Sequence, residues 1–484
     1  DNNGATDAVT ARAAAGELNV GIAQDLDSSL DPHKTVKAGT REVMFNVFEG
    51  LLKPDSTGDL KPALAESYTV SDDHLLYTVR LRSGVKFHNG QDVTPEDVIW
   101  SYQRCGNPDS ADIIQVAAFA DAEIYQEGEN TVCFRLSEPS NEFTSYLTTA
   151  VLPKDYTEQD TAPVGTGPFK FVSRTAQDSV VLERFDDYYA GPAETQKLVM
   201  KMIPEASQRT IALETGEVDL VVDVETTDLT RLMEADGIEV FNEAGTTHQW
   251  MMVNNEVAPF NNPDFRKAIA SAIDKEAVIQ VALQGTGSVS DSMLPGCFKG
   301  VTDTGAPSYD LDKAKEYMEA SGLNPADCGF AIICSDDMKL RMGQVIQSCL
   351  KENLGIDTTL ESMDLATYLD KTSAGDYQAA IGGYTSSDVL AHSMGVYHSK
   401  AINGSNKTRL NDPEIDAFID KIKATLDPEE NVKIVTELSK SLNEICPQVP
   451  LYLKNNVRAY AKGLEGFKMS PSGGMYISEL SWSE

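Results

Sequence analysis

Hydrophobic and polar positions change period along this chain, and each change marks an element. Tyr77, Val79 and Leu81 alternate with Thr78, Arg80 and Arg82, the period of a half-buried strand. Ser83-Gly84 breaks the run, Val85 and Phe87 follow as a second short apolar pair, and Asn89-Gly90 tolerates the positive φ of another turn. Thr94 then starts a helix: its hydroxyl can accept from an orphan N–H, Pro95 suits the first helical position, and Glu96 with Asp97 suits the positive helix end. Further on, Phe265, Ile269 and Ile273 recur every four residues behind Asn262-Pro263, and Asp274 caps a second helix directly after them. Helices are also predicted from Asp310 to Gly322, from Asp412-Pro413, and from Asp427-Pro428 to Pro447. Between them, 197–203, 218–224, 330–335 and 449–453 read as apolar strands. This alternation predicts a mixed α/β fold, with no repeat of fixed period.

Composition adds scale and excludes some functions. A chain of 484 residues, 41% hydrophobic, is long enough for more than one core. With 75 acidic against 40 basic residues the formal charge is −35, which excludes nucleic acid and anionic membrane surfaces as main partners, because phosphate binding needs cationic patches. No run approaches the ~18 apolar residues of a membrane span, and the polar start, 1–16, reads as a flexible tether of a mature chain without a signal peptide. The seven cysteines show neither CxxC nor zinc spacing; Cys328 and Cys334 could close a small loop, or stay as buried thiols.

Catalytic and cofactor motifs are not found. VGTGPF at 164–169 has glycines but neither the GxGxxG frame nor a following Lys-Ser/Thr, so it reads as a tight turn. The acidic run at 25–31 imitates a calcium loop, yet Leu30 stands where that loop needs Gly. There is no HExxH and no GxSxG, and the six histidines form no i, i+4 pair. Trp250, before a strand-like Val253, reads as core filler or as a ligand stacker. No catalytic residue, metal site or cofactor is assigned.

The stretch LAESYTVSDDHLLYTVRLRSGVKFHNGQDVTPEDVIWSYQR, 64–104, resembles the signature of the family 5 extracellular solute-binding proteins of ABC transporters, which bind dipeptides, oligopeptides or nickel. SSLDPHKT with VFEGLL, PVGTGPFKF, RTIALETGEVDL, NNEVAPFNNPDFRKAIASAIDKEAVI and QVPLYLKNNVRAY resemble it in order, from about Glu17 to the end. The resemblance implies an α/β, two-lobed periplasmic-binding-protein-like fold, a venus flytrap with an extra subdomain in its first lobe. The implied lobe I core is 17–44 with 164–274 and 459–484, the extra subdomain 45–163, and lobe II 275–458. The implied function is capture of a small solute, foremost a peptide, between two closing lobes and its delivery to a membrane permease, without catalysis. Closure needs only a ligand that favours the closed state. A saccharide, an opine-like compound or a metal chelate is the alternative ligand, and a surface hydrolase or a sensory receptor the alternative class.

The same resemblance implies an extracytoplasmic monomer, in the periplasm or on the outer face of the membrane, whose only membrane contact is a lipid anchor. For the pocket, Leu26, Asp27 and Ser28 resemble the segment that pairs with ligand backbone. Gln249, Trp250 and Met251 resemble a stretch that supplies aromatic contacts, and Arg341 lies near where some dipeptide binders place an arginine for the ligand carboxylate. In GGYTSSDVLAH, 382–392, peptide binders typically have Trp-x-x-Asp; here Tyr384 replaces the Trp and Ser387 the Asp that takes the ligand ammonium. A serine hydroxyl supplies no counter-charge, so Asp388, one place later, is the substitute, and without it the ligand is a blocked peptide or a non-peptide. His392 and His398 keep a metal chelate in view.

Overall fold

Cap chemistry decides where helices begin in this chain. Thr94 and Asp97 form a reciprocal box: the Thr94 hydroxyl accepts from the Asp97 N–H at 3.4 Å, and the Asp97 carboxylate accepts from the Thr94 N–H at 2.9 Å, opening the helix Pro95–Gly106. Asn262, Asp274, Asp310, Asp412 and Asp427 each accept from a first-turn N–H of the helices that follow them, and Gly322 ends the third of these at φ +69°.

The computed structural model describes residues 2–110, 112–471 and 473–483. It divides into two units, Asp1–Phe241 with Val457–Glu484, and Asn242–Asn456. Residues 242–274, expected in the first lobe, therefore fold with the second unit; their helix Pro263–Ala272 packs against Leu311–Ser321 and Asp337–Leu354. In unit 1 the strand Glu17–Ile22 lies between parallel neighbours Lys197–Met202 and Leu220–Val221, and Ser179–Arg184 and Phe169–Thr175 extend the sheet antiparallel. The strand expected over 218–224 is only two residues long, and Asp223 turns the chain at φ +49°.

A separate antiparallel sheet of Ala65–Val70, Leu76–Leu81, Thr131–Arg135 and Glu123–Gln126 carries its own core of Tyr77, Phe87, Tyr102, Phe134 and Phe143. Arg104, in the last turn of Pro95–Gly106, donates to both oxygens of Asp31 at 3.1 and 2.7 Å and to His33 Nδ1 at 3.1 Å. Asp31 is 2% exposed, so this bidentate pair joins the loop at 30–33 to the helix in a setting where loss of one partner is costly.

The glycines of VGTGPF are there for close approach. A Cβ on Gly165 would be driven into the Val47 carbonyl oxygen and the Phe48 ring, and one on Gly167 would lie 2.7 Å from the Asn46 carbonyl oxygen. The facing atoms are mostly backbone, held by the Gly167 N–H to Val47 and the Phe169 N–H to Asn46, so little can move aside. Gly165→Ala is expected to cost about 3 kcal/mol, at the upper end for overpacking, read as a lowered urea midpoint with unchanged slope. A change below about 0.5 kcal/mol would mean that the loop can retreat.

The N-terminal segment departs from expectation. Asn2–Ala14 is a helix rather than a flexible tether: its second half is rich in alanine, and Arg12 donates to the fully buried Asp219 carboxylate at 2.7 and 3.0 Å. All seven cysteines are free thiols, Cys328 and Cys334 among them. Among the described residues no helix is long and apolar enough to cross a membrane.

Candidate functional site

Unit 2 contains a sheet edge at which the chain changes direction. The strand Phe330–Cys334 lies between Thr358–Ser362 and Ala379–Thr385, all three parallel. The chain leaves it through the helix Asp337–Leu354 to reach one neighbour, then through Leu365–Ala374 to reach the neighbour on the other side. Such a reversal opens a crevice beyond the carboxyl ends of the strands, the usual ligand position in open α/β sheets. Three helices start from those carboxyl ends, and each is capped by an aspartate. Asp336 accepts from the Lys339 N–H at 2.8 Å, Asp364 from the Thr367 N–H at 2.9 Å, and Asp388 from the Ala391 N–H at 2.7 Å. The positive helix ends are thus already compensated, so this edge makes no demand for a phosphate-like anion. Met338 and Leu365, in the first turns of two of these helices, are 37% and 56% exposed and give the edge an apolar component.

Four of the predicted site residues belong to this edge. Arg341 is exposed on Asp337–Leu354 and has no ion pair among the described residues. Tyr384 is half-buried near the end of its strand, with its ring 5.6 Å from that of His392. Ser387 and Asp388 are exposed, and the Ser387 hydroxyl donates to Asp388 at 3.0 Å. Asp388 therefore already accepts from a helix N–H on one oxygen and from a hydroxyl on the other, which weakens it as a partner for a ligand ammonium.

Gln249, Trp250 and Met251 lie on the antiparallel neighbour of Ala379–Thr385, opposite Gly383, Gly382 and Ile381. Gln249 is half-buried and Met251 fully buried; Trp250 is 2% exposed and belongs to the core of unit 2. Around Trp250 the structure assembles rings that sequence reasoning did not bring together. His248 stands 4.9 Å from it, His392 5.7 Å, and the two imidazoles 5.8 Å from each other, with Phe298 6.3 Å from His392. His248 Nε2 bonds Ser290 Oγ at 2.8 Å and His392 Nδ1 bonds Ser386 Oγ at 3.0 Å. Burial holds His392 down to about 3 and pushes His248 well below the ordinary imidazole range, with His392 and Lys275 adding to the effect. Both are uncharged at neutral pH. His248 Nδ1, Trp250 Nε1 and His392 Nε2 are buried without a hydrogen-bond partner among the described residues, each a cost of about 1–3 kcal/mol if left so. His398, which sequence reasoning associated with His392, instead bonds Asp420 at 3.0 Å.

The remaining predicted residues are in unit 1. Leu26 is buried, and its carbonyl and that of Asp27 accept from Arg174 at 3.0 and 2.7 Å. The Asp27 N–H donates to Thr40 at 2.8 Å, and its carboxylate accepts from the Lys37 N–H at 3.0 Å. The backbone expected to pair with a ligand is thus largely engaged already; Ser28, exposed, is the one of the three least tied down. Unit 1 also holds a cavity of about 360 Å³ lined by His33, Met44, Phe45, Phe48 and Ile114.

Comparison with known proteins places these features in a wider set. The model of the bacterial extracellular solute-binding proteins, family 5 Middle, matches residues 59–404. The heme-binding protein A of Haemophilus influenzae is 26% identical over 90% of this chain and 86% of its own length. The oligopeptide-binding protein AppA of Bacillus subtilis is 25% identical over the same shares. The structure of HbpA2 from Haemophilus parasuis superposes with a TM-score of 0.88 at 22% identity, covering 97% of this chain and all (100%) of that one, and shows that the α/β architecture is the two-lobed periplasmic-binding-protein fold. With the family model spanning well over half of its length, the chain belongs to the bacterial extracellular solute-binding proteins of family 5.

Proposed function

We propose that this protein is the solute receptor of an ABC importer and that its solute is a peptide, handed unchanged to the membrane permease. The observation that carries the ligand class is Arg341: an exposed guanidinium without an acidic partner among the described residues, in a chain of formal charge −35, at the kind of sheet edge where open α/β folds take ligands. A guanidinium so placed suits a terminal carboxylate bidentately, and Met338 and Leu365 offer apolar surface for side chains. The likeness to an oligopeptide-binding relative supports the same class. The protein acts as a monomer outside the cytoplasm, in the periplasm or held by lipid at the outer membrane face, and makes or breaks no bond in its ligand.

Native mass spectrometry of protein purified without refolding, followed by denaturation, is expected to release a ladder of peptide masses, each chemically intact. Release of a single saccharide, opine-like compound or metal chelate would overturn the peptide class, and release of cleaved products would overturn the absence of chemistry. Ser387→Asp tests the amine end: with a counter-charge at 387, free-amine dipeptides are expected to bind at least about tenfold more tightly by calorimetry, some 1.4 kcal/mol. No gain would mean that another group already takes the ammonium.

A further inference from the structure

The cavity of about 360 Å³ in unit 1 has a single charged side chain on its wall among the described residues, Arg41. Arg41, Phe45 and Phe48 follow one another at intervals of four and three through the helix Ala38–Met44 and the helical turn after it, where the Phe48 N–H donates to the Met44 carbonyl at 3.0 Å, so all three share one side. The facing wall is Ile114 and Val116, held by bonds of 2.8 Å from the Ile114 N–H to the His33 carbonyl and from the Val116 N–H to the Cys105 carbonyl. Ile114 is 42% exposed, an apolar side chain that meets both the cavity and solvent. The other ionisable groups on the wall carry no charge at neutral pH. His33 has both ring nitrogens engaged, by Arg104 and by the Ala150 carbonyl, and burial, chiefly, holds it down to about 4. Burial pushes the Cys105 thiol up to about 12.

Arg41 is exposed, its guanidinium donates to the Val36 carbonyl at 3.1 Å, and it forms no ion pair among the described residues. The nearby acids are taken by others. Arg41 also borders a second cavity, of about 420 Å³, whose carboxylates are Glu42 and Glu49. Glu42 pairs with Arg458 at 3.2 Å, and Glu49 accepts from Lys53 at 3.1 Å and from Tyr188 at 2.5 Å. An apolar cavity with one unpaired guanidinium on its wall selects a ligand by both features. Hydrocarbon gains by leaving water for Met44, Phe48 and Val116, and a carboxylate answers the planar fork of Arg41. An ammonium would meet a like charge, and a small bare anion would forgo the apolar walls. We propose that unit 1 carries a binding site of its own for an amphipathic monocarboxylate, an aliphatic or aryl acid, with its apolar body in this cavity and its carboxylate on Arg41. The site goes beyond the peptide reading and does not rest on it, since Arg341 belongs to unit 2.

Octanoate, octylamine and acetate, each titrated calorimetrically into the full chain freed of endogenous ligand, separate the two features. Octanoate is expected to bind one to one, at least about tenfold more tightly than octylamine, while acetate gives no saturable binding up to about 10 mM. Octanoate should also shift the Met44 methyl resonance of the wild-type protein, assigned by its loss in Met44→Leu. Arg41→Gln and Ile114→Trp, the second of which fills the cavity, should each weaken octanoate at least about tenfold. Both change exposed side chains, and an unchanged thermal transition keeps loss of binding apart from loss of fold. Octylamine binding as tightly as octanoate, or an octanoate affinity indifferent to both variants, would overturn the inference and reduce the binding to an adventitious apolar contact. A loss with Arg341→Gln in place of Arg41→Gln would put the carboxylate in unit 2 and overturn it as well. So would the absence of saturable octanoate binding up to about 10 mM, which would leave the peptide reading intact.

Discussion

Lowering the pH from 7 to 5 is expected to cost this protein on the order of 6 kcal/mol of stability, enough to bring it close to unfolding. The loss comes from buried histidines. Burial, chiefly, holds His33 and His88 down to about 4 and His392 down to about 3, against an unfolded value near 6.5. A base whose folded pKa is depressed contributes stability that is complete above its unfolded pKa and is lost as pH falls toward the folded one. At pH 5 each group has forfeited about 1.5 pH units, roughly 2 kcal/mol.

The hydrogen bonds give this direction a mechanism. His33 Nδ1 accepts from Arg104, so its proton sits on Nε2, bonded to the Ala150 carbonyl at 2.8 Å; a second proton would face a guanidinium. His88 Nδ1 accepts from the Gly165 N–H at 3.2 Å while Nε2 donates to Gly167, and a second proton would break the first bond. His248 acts in the same direction.

Two effects oppose the loss. Glu42, raised by burial, gains stability on acidification, and protonation relieves repulsion among the 75 acidic residues. The first is one group, partly offset by Arg458, and the second is screened beyond about 8 Å at physiological salt. The histidines should therefore win between pH 7 and 5. Urea unfolding at pH 7, 6 and 5 in 0.15 M salt should show a net uptake of about three protons on unfolding near pH 5.5. His88→Gln, which keeps one donor and one acceptor, should lower that uptake by about one. A stability that stays flat or rises toward pH 5 would show that these histidines accept protons in the folded state.

Much of the fold was legible because caps and turns are local. Thr94, Asn262, Asp274, Asp310, Asp412 and Asp427 announced their helices through a side chain and an N–H two or three residues apart. What was not legible depended on partners far along the chain. Nothing near Arg12 announces Asp219, and so the N-terminal helix was missed. Nothing in 242–274 tells which unit its apolar face will join, because composition is uniform across the boundary. At the site, the resemblance pointed to Trp250, Tyr384, Ser387 and Asp388. The capping role of Asp388 and the meeting of His248 with His392 needed the register that pairs Trp250 with Gly382. Asp336 carried a signal that could have been used: it stands between the apolar strand Phe330–Cys334 and a helix, the arrangement that places loops at one sheet edge.

Trp250→Ala is expected to cost about 3–5 kcal/mol in urea unfolding, the range for deleting a buried indole. The tryptophan is 2% exposed and packed edge-on to two imidazoles, so alanine would leave a cavity under the strand rather than a vacant subsite. A tenfold loss of affinity in that variant, by itself, would not separate a contact from a collapse. Trp250→Phe does separate them. Phenylalanine keeps most of the ring volume and removes the Nε1–H, which has no protein partner among the described residues. Discarding an unmet donor returns part of its desolvation cost of about 1–3 kcal/mol, and this offsets the packing lost with the smaller ring. The Phe variant should therefore fall within about 1.5 kcal/mol of wild type while Ala falls far below. If both variants lost less than about 1 kcal/mol, the indole would not be part of the core of unit 2. If Phe lost as much as Ala, the N–H would be held by bonds to the protein.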